Sequence, residues 1–361
     1  MEVPKDIVRL RRWTCWENII RGANGMTIEK IIVENFTVFE KIEIDFCNGI
    51  NVFIGENGAG KTHLLKLLYA FCKHKNEFKS AAPLERTSSF YLNLISCFQN
   101  NKLEELIRYN VDISANNVPV MVVCKVNGMD YVFRFLNTES EFDYKGDSEY
   151  IPCVYIPAKE MLTHARLEKD FIERNLPFDI TLIDILNKAG VSTVKELTSE
   201  MQGILDRIVQ IIGGKVVYSN DRFYIDKGKN VLIDFAVEAE GFKKLGLIYR
   251  LIETGYLKKG GVLIWDEPES NLSPKLIPVL VDIILALEQA GVQMFFATHD
   301  YNFMKYFSIK RKEANEIAFF SLFQTENGVA CERGDDYDLL EHNPIIDGNT
   351  KLLEDEIEGT L

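Results

Sequence analysis

The chain has 361 residues, of which 47% are hydrophobic, and its formal net charge is −13 at pH 7. This length suits one large α/β domain with an inserted lobe, or two domains, and the composition argues against intrinsic disorder. The acidic balance argues against constitutive tight binding to nucleic acid or to an anionic membrane surface.

Cysteine usage and hydropathy predict the compartment. The seven cysteines are scattered and form no C-x-x-C pair, which is typical of reduced thiols in a cytosolic protein. No apolar run approaches the length that spans a bilayer, and the arginines near the N-terminus are not followed by a signal-type apolar core. We therefore expect a cytoplasmic protein without a membrane partner.

Residues 1–25 carry Trp13 and Trp16 and do not share the pattern that begins at Met26. Three interpretations stay open: a helix packed on the body, an arm that binds a partner, or a start codon assigned too early. From Thr27 onward apolar residues alternate with polar ones, which predicts a hairpin or small sheet. The apolar run over 49–54 then predicts a short buried strand.

A phosphate-binding loop pattern follows this strand. It reads G-x-x-x-x-G-K-T, and a helical spacing of leucines follows it, so the context is strand, glycine loop and helix. Glycines let the backbone wrap around a polyphosphate, Lys61 brings a positive charge to it, and Thr62 offers a hydroxyl to Mg²⁺. The residues expected to contact the nucleotide here are Glu56, Asn57, Gly58, Ala59, Gly60, Lys61, Thr62 and His63.

The middle of the chain alternates between strand and helix patterns. Two β-rich runs over 120–126 and 129–135 are joined by Asn127-Gly128, a strong hairpin signal. The acidic stretch 138–148 predicts a loop, and a strand ends before Pro157. Residues 158–212 predict a mainly helical insertion that lacks the sustained heptads of a coiled coil. Strand patterns return within 215–237, and a helix is expected over 242–254.

An apolar run, Val262 to Trp265, ends in Asp266 and Glu267. A buried parallel strand that ends this way places carboxylates beside the phosphate loop, at the same edge of the sheet. We expect Asp266 to hold Mg²⁺, usually through water, and Glu267 to polarise the attacking water.

A second apolar run, over 295–297, ends in Thr298 and His299. The predicted helix between the two runs spans Ser273–Ala290, with Ser273 as N-cap, Pro274 at the first helical position and an end before Gly291. This spacing places His299 where its imidazole could contact the γ-phosphate or hold the water against Glu267.

These motifs resemble those of the ABC-type ATPase heads of SMC, Rad50 and RecF proteins. The residues that carry the resemblance read G-E-N-G-A-G-K-T, W-D-E-P-E-S-N-L and A-T-H-D. The chain is most similar to bacterial AAA-type ATPases that include the ATPase halves of OLD-family nucleases and of anti-phage defence systems. The resemblance covers about residues 27–345.

The resemblance implies a P-loop NTPase fold of class α/β, with a mixed sheet core, an antiparallel β subdomain and a mainly helical inserted lobe. The implied head comprises 26–157 and 213–345, the insertion 158–212, and an acidic tail 346–361.

By the same resemblance, Lys61 and Thr62 are the Walker A pair, while Asp266 and Glu267 are Walker B. His299 corresponds to the switch histidine and Asn271 lies in the D-loop. Asn35 and Phe36 match the family's first strand-turn, near where adenine packs.

Two departures concern the loops that complete such a site. The signature loop corresponds to 238–244, which keeps Gly241 and a following basic helix but lacks the signature serine. The N–H groups at the start of that helix could still contact a partner's nucleotide. No Q-loop glutamine is evident, because 157–160 reads P-A-K-E in the expected region.

The implied activity is hydrolysis of ATP, with Mg²⁺, between two heads of a homodimer or higher homo-oligomer. The first hypothesis is a switch that senses a trigger and controls a separate effector, a nuclease or toxin, in bacterial anti-phage defence. The alternative is a RecF- or Rad50-like DNA-binding ATPase in repair or chromosome maintenance, which the net charge does not indicate. A transporter subunit is the third and least favoured option.

Overall fold

The computed structural model describes residues 27–77, 83–99, 102–108, 119–136, 139–144, 151–160, 162–164, 179–313 and 315–360. The expectations for residues 1–25 therefore lie outside the described residues. In chain order the strands are β1 (Ile28–Phe36), β2 (Phe39–Asp45), β3 (Ile50–Gly55), β4 (Val120–Val126), β5 (Met129–Leu136), β6 (Glu139–Tyr144), β7 (Cys153–Ile156), β8 (Lys215–Ser219), β9 (Arg222–Asp226), β10 (Leu232–Asp234), β11 (Val262–Asp266), β12 (Gln293–Ala297), β13 (Ile317–Thr325) and β14 (Gly328–Gly334). The α-helices are α1 (Lys61–Glu77), α2 (Pro83–Phe98), α3 (Ile180–Gly190), α4 (Ser199–Ile212), α5 (Glu240–Glu253), α6 (Ile277–Gln289), α7 (Tyr301–Lys310) and α8 (Pro344–Thr360).

A six-stranded sheet in the order β14-β13-β3-β12-β11-β7 forms the centre of the molecule. All neighbouring strands in it are parallel except the antiparallel pair β13 and β14. Every residue of β3, β11 and β12 is buried, as expected for parallel strands covered on both faces. Because β3, β12 and β11 are parallel neighbours, their carboxyl ends meet at one edge of the sheet.

A second sheet has five antiparallel strands in the order β2-β1-β4-β5-β6. The predicted hairpin is present: Val126 pairs with Met129, and both Asn127 and Gly128 have positive φ, at 48° and 74°. The prediction of a loop over 138–148 is wrong for its first part. β6 pairs antiparallel with β5, because partner strands can take up an acidic segment at a sheet edge.

Within the predicted helical insertion, the structure describes α3 and α4 but not residues 165–178. The side chain of Asp179 caps α3 by accepting the Thr181 N–H at 2.9 Å. Asp179 also accepts a 2.6 Å hydrogen bond from Lys66 on α1. Buried residues of α3 and α4 belong to the same apolar core as β11 and α5. α3 packs on β7 of the central sheet, whereas α4 packs on α5 and α6.

Two further boundaries differ from the prediction. α6 begins at Ile277, with Leu276 as N-cap, because residues 273–276 form a turn closed by a 2.8 Å bond from Leu276 N–H to the Ser273 carbonyl. The predicted start at Ser273 is therefore wrong, whereas the end before Gly291 is correct. At the other end of the chain, the acidic tail lies in the exposed helix α8.

The described cysteines are free thiols, and all but Cys331 are buried. Among the described helices, none combines the length and hydrophobicity needed to cross a bilayer.

Candidate functional site

The phosphate-loop pattern forms the connection between β3 and α1. Gly58 has a φ of 83° and no atom lies within 4 Å of the place a Cβ would occupy, so the backbone conformation rather than space favours glycine there. Gly60, with a φ of 90°, is different: a Cβ would lie 2.6 Å from side-chain atoms of both Val38 and Phe39. The turn between β1 and β2 therefore packs directly against the loop.

Lys61 begins α1 and is only 6% exposed. Its Nζ donates hydrogen bonds to the carbonyl oxygens of Gly55 and Glu56, at 2.7 and 2.9 Å. Burial lowers the pKa of Lys61 to about 8, although Asp266 and Glu267 oppose the shift. The ammonium group thus lies inside the loop, close to the two carboxylates at the end of β11.

Thr62 and Asp266 are in direct contact across 204 positions of sequence. The Thr62 hydroxyl donates to Asp266 Oδ2 at 2.9 Å. Burial raises the pKa of Asp266 above its ordinary value, and the hydrogen bond from Thr62 opposes that shift. A hydroxyl and a carboxylate are oxygen donors of the kind that Mg²⁺ prefers, and Mg²⁺ commonly uses one or two such groups together with substrate phosphates.

The residues present fit magnesium triphosphate. The loop leaves open space at Gly58, the first turn of α1 has N–H groups with no intrahelical acceptor, and the oxygens of Thr62 and Asp266 lie at its base. The described residues include no cluster of three or more His, Cys, Asp or Glu side chains that could form an all-protein metal cage. A metal ion here would therefore rely on phosphate oxygens for its remaining ligands.

Glu267 and His299 follow the neighbouring strands β11 and β12. Glu267 has a φ of 49°, a left-handed conformation for a non-glycine residue, and its N–H donates to the Ala297 carbonyl at 2.9 Å. Burial, followed by the positive charge of Lys61, lowers the pKa of His299, while Glu267 opposes the shift. This shift favours the neutral imidazole, which lies within electrostatic reach of both residues.

The predicted signature glycine, Gly241, lies in the first turn of α5. A Cβ on Gly241 would lie 2.5 Å from Leu276 Cδ1 and 3.1 Å from Leu272 Cδ2, so this glycine allows α5 to approach the segment after β11. Asn271, in the same segment, is exposed and has a φ of 59°. The helix start and the D-loop are therefore adjacent within one chain.

The basic residues that follow Gly241 are buried rather than exposed. Lys243 and Lys244 are each 5% exposed. Lys243 pairs with Glu240 at 2.7 Å, while Lys244 donates to the carbonyls of Glu267 and Pro268 at 3.2 and 3.1 Å. Both charges are held inside this chain because buried ammonium groups require acceptors.

The expected adenine contact is not available to Phe36, whose side chain is 0% exposed. Its ring packs edge to face on Phe98 at a centroid distance of 5.5 Å, in the apolar core. Asn35 donates its side-chain N–H to the Pro119 carbonyl at 3.2 Å. The His63 ring also lies against Phe98, at 5.4 Å, so the side chain of His63 packs on α2. The apolar character of Phe36 and its position at a strand end explain this burial.

In the segment 157–160, where the family carries a Q-loop glutamine, the backbone carbonyl of Ala158 accepts a 3.3 Å hydrogen bond from the Ser270 hydroxyl. Glu160 caps the short turn that follows by accepting the Thr163 N–H at 3.2 Å, and it also accepts from the Thr163 hydroxyl at 2.6 Å. The backbone of this segment therefore contacts Ser270, the residue before the predicted D-loop.

Sequence reasoning missed two charged residues at this edge, Lys244 and Glu269. Glu269 Oε1 accepts a 2.7 Å hydrogen bond from the Thr298 hydroxyl, and burial raises the pKa of Glu269 to about 7. The stretch D-E-P-E contains Glu269, but nothing local to it indicates that this side chain turns inward.

Comparison with known proteins agrees with this architecture. A family model described as an AAA ATPase domain matches residues 26–230. The Smc head domain from Pyrococcus yayanosii, solved with a coiled coil and joint, superposes with a TM-score of 0.55 at 9% identity, over 90% of this chain and 100% of its own. The Smc head domain from Pyrococcus furiosus, bound to the C-terminal domain of ScpA, gives a TM-score of 0.51 at 10% identity, over 91% and 99%. The expected fold class is confirmed by these likenesses.

Curated relatives match only part of the chain. The DNA replication and repair protein RecF of Cytophaga hutchinsonii is 39% identical over 89 residues, 24% of this chain and 23% of the relative. The RecF protein of Thermoanaerobacter sp. is 31% identical over 107 residues, 28% of this chain and 27% of the relative. The aligned segments thus span about a quarter of these relatives.

Proposed function

We propose that this chain, which belongs to the AAA ATPase domain family, is an ATP-binding and ATP-hydrolysing switch that closes head to head around its nucleotide. The observation that carries the proposal is the 2.9 Å contact between Thr62 and Asp266. It joins the phosphate loop to the end of β11. Lys61 interacts electrostatically with Asp266 and Glu267, and His299 interacts with Lys61 and Glu267. These groups have the chemistry that phosphoryl transfer to water requires.

Each residue has a role in the proposed reaction. Lys61 exchanges its loop carbonyls for β- and γ-phosphate oxygens, and the first turn of α1 adds N–H donors. Thr62 and Asp266 would hold Mg²⁺, which would neutralise charge on the phosphates. Glu267 orients the attacking water, and the neutral imidazole of His299 donates a hydrogen bond to the γ-phosphate or to that water.

Closure of two heads would bring the N-terminus of α5 toward the partner's nucleotide. Ala239, the N-cap of α5, is exposed and its side chain makes no capping hydrogen bond. The N–H groups of the first turn therefore have no side-chain acceptor from the N-cap residue. Since Lys243 and Lys244 are buried in their own chain, contact in trans would depend on these N–H groups rather than on lysine charge.

The test uses Glu267→Gln, which keeps the side-chain shape but removes the carboxylate. We expect steady-state ATP hydrolysis to fall about 100-fold or more, while ATP affinity stays within a few-fold, because the phosphate and metal contacts remain. Light scattering should show that this variant accumulates as a dimer in the presence of Mg²⁺ and ATP. Unchanged hydrolysis would remove Glu267 from its role, and a variant that stays monomeric with ATP bound would contradict head closure.

Two biological settings fit such a switch. In the first, closure controls a separate effector protein, a nuclease or toxin, in anti-phage defence. The net charge of −13 supports an output other than a constitutive DNA clamp. That one of the similar Smc heads was solved with a domain of the protein ScpA supports a head surface that binds a partner protein.

The second setting is DNA repair, as the names of the RecF relatives suggest. The basic run Lys310 to Lys312 is a weak basis for DNA contact, because Lys310 pairs with Asp282 at 2.8 Å and Arg311 lies 3.7 Å from Asp336.

One pair of measurements separates the settings. Duplex DNA that stimulates hydrolysis by the purified protein, with binding that weakens steeply as salt rises, supports repair. Co-purification of a nuclease or toxin-like neighbour in the presence of ATP, without any effect of DNA, supports effector control.

A further inference from the structure

Glu269 links the ends of the two strands that carry the proposed catalytic pair. It lies three residues after Asp266, in the turn that follows β11. Its Oε1 accepts the Thr298 hydroxyl at 2.7 Å and the His299 N–H at 3.4 Å, both in the turn that follows β12. One side chain thus bridges the segment of Glu267 to the segment of His299.

Thr298 is held from three sides, which makes this bridge stiff. It is 0% exposed, and its N–H donates to the Phe53 carbonyl on β3 at 3.1 Å. Its hydroxyl donates to Glu269 and accepts the Asp300 N–H at 3.1 Å. Asp300 in turn caps α7 by accepting the Phe303 N–H at 2.6 Å. The backbone around His299 therefore depends on the acceptor that Glu269 supplies.

The second oxygen of Glu269 is buried and makes no hydrogen bond to any described residue. A buried carboxylate with one unsatisfied oxygen costs free energy, so packing alone does not account for a glutamate at this place. Two charged groups act on it electrostatically: Lys244 on α5 and Asp300 at the start of α7. Burial raises its pKa to about 7, which favours the neutral carboxyl more than in an exposed glutamate. The carbonyl oxygen of that neutral form still accepts from Thr298.

We propose that Glu269 is a positioning residue for ATP hydrolysis, acting through Thr298 and the backbone of His299 to hold the His299 imidazole against Glu267. This inference rests on the proposed function. The acceptor oxygen, rather than the negative charge, does the positioning.

The central experiment measures kcat, KM and ATP affinity for Glu269→Ala, Glu269→Gln and Thr298→Val. We expect Glu269→Ala and Thr298→Val each to lower kcat about tenfold or more, with ATP affinity changed less than about threefold, because neither side chain contacts the phosphate loop. Glu269→Gln retains an acceptor oxygen and should keep at least about a third of the kcat. Glu326→Ala, an exposed carboxylate in the turn between β13 and β14, is the matched control and should change nothing.

A double-mutant cycle with His299→Ala separates positioning from general support of the fold. If Glu269 acts through His299, then Glu269→Ala should cause less than about a twofold further loss in the His299→Ala background. A purely structural role would give multiplicative losses, accompanied by lower ATP affinity. Multiplicative losses, or an unchanged kcat in Glu269→Ala, would overturn the inference.

Failure of the proposed function gives a different result, since the parent protein would then hydrolyse no ATP at all. Should Glu269→Ala not fold, Thr298→Val and Glu269→Gln decide the matter. A full kcat in Thr298→Val, or a Glu269→Gln variant as slow as His299→Ala, would contradict positioning through the acceptor.

Discussion

Two lysines in this chain, Lys61 and Lys244, have nearly the same burial, pKa and type of hydrogen-bond acceptor. Lys61 is 6% exposed and Lys244 is 5% exposed, and burial lowers the pKa of each to about 8. Each donates hydrogen bonds to two backbone carbonyls. Each also has Glu267 among the charges that act on it.

The two lysines differ in where their acceptors lie. The acceptors of Lys61 are five and six residues earlier, within one loop that opens to space at Gly58. Lys244, on α5, reaches residues 23 to 26 positions later, including a 2.8 Å bond to the Ser270 hydroxyl. The bonds of Lys61 can be exchanged for phosphate oxygens without moving a helix, whereas those of Lys244 connect separate elements. Burial and pKa alone therefore do not distinguish a ligand-binding lysine from a structural one.

Replacing Lys61 should have the largest effect. We expect Lys61→Ala to lower ATP affinity about 100-fold or more, because it removes charge-assisted hydrogen bonds to the phosphates. Titration with a fluorescent ATP analogue measures this loss. Lys195→Ala, at an exposed lysine before α4, is the control and should bind normally. Micromolar affinity retained by Lys61→Ala would count against the phosphate-loop assignment.

Replacing Lys244 should leave binding and damage stability and turnover. In Lys244→Met the carbonyls of Glu267 and Pro268 lose their donor, which should lower the free energy of unfolding by about 1–3 kcal/mol. The backbone of Glu267 then loosens, so we expect kcat to fall about tenfold, with ATP affinity within about threefold. Urea unfolding and hydrolysis assays measure both. Equal losses of ATP affinity in Lys244→Met and Lys61→Ala would remove the distinction between the two lysines.

The pH dependence of stability should show the buried charge of Lys244 directly. Its pKa is about 8 in the folded chain, below the ordinary lysine value of 10.5. Between these values the unfolded state binds more protons, so raising the pH removes the cost of the buried charge and stabilises the fold. The native protein should therefore gain stability relative to Lys244→Met by up to about 1.4 kcal/mol per pH unit. A difference that stays constant from pH 8 to 10 would show that Lys244 has an ordinary pKa.

The smallest expected effect is proton uptake when ATP binds. Phosphate next to Lys61 should raise its pKa from about 8, so binding at pH 8 should take up about half a proton. Calorimetry in buffers of different ionisation enthalpy measures this number. The uptake should be the same in Lys244→Met, because Lys244 does not meet the ligand. A loss of uptake in that variant would mean that the two lysines titrate together.

Local patterns predicted much of the structure. The hairpin at Asn127-Gly128 depends on two residues that accept positive φ, and the phosphate loop depends on glycines between a strand and a helix. These signals are read from adjacent residues. The loop prediction over 138–148 was wrong because β6 pairs with the edge of β5, which no local pattern shows. The start of α6 was wrong for a local reason, because a turn over 273–276 precedes the helix.

By itself the sequence determined that a phosphate loop, two acids and a histidine follow three apolar strands, because each motif is short and contiguous. Only the tertiary structure decided which polar side chains turn inward. It places Phe36 in the core, directs Lys244 to the carbonyls after β11, and joins Glu269 to Thr298. The contacts of Lys244 with Glu267 and of Glu269 with Thr298 connect residues 23 and 29 positions apart, so they depend on how strands and helices pack rather than on any local pattern.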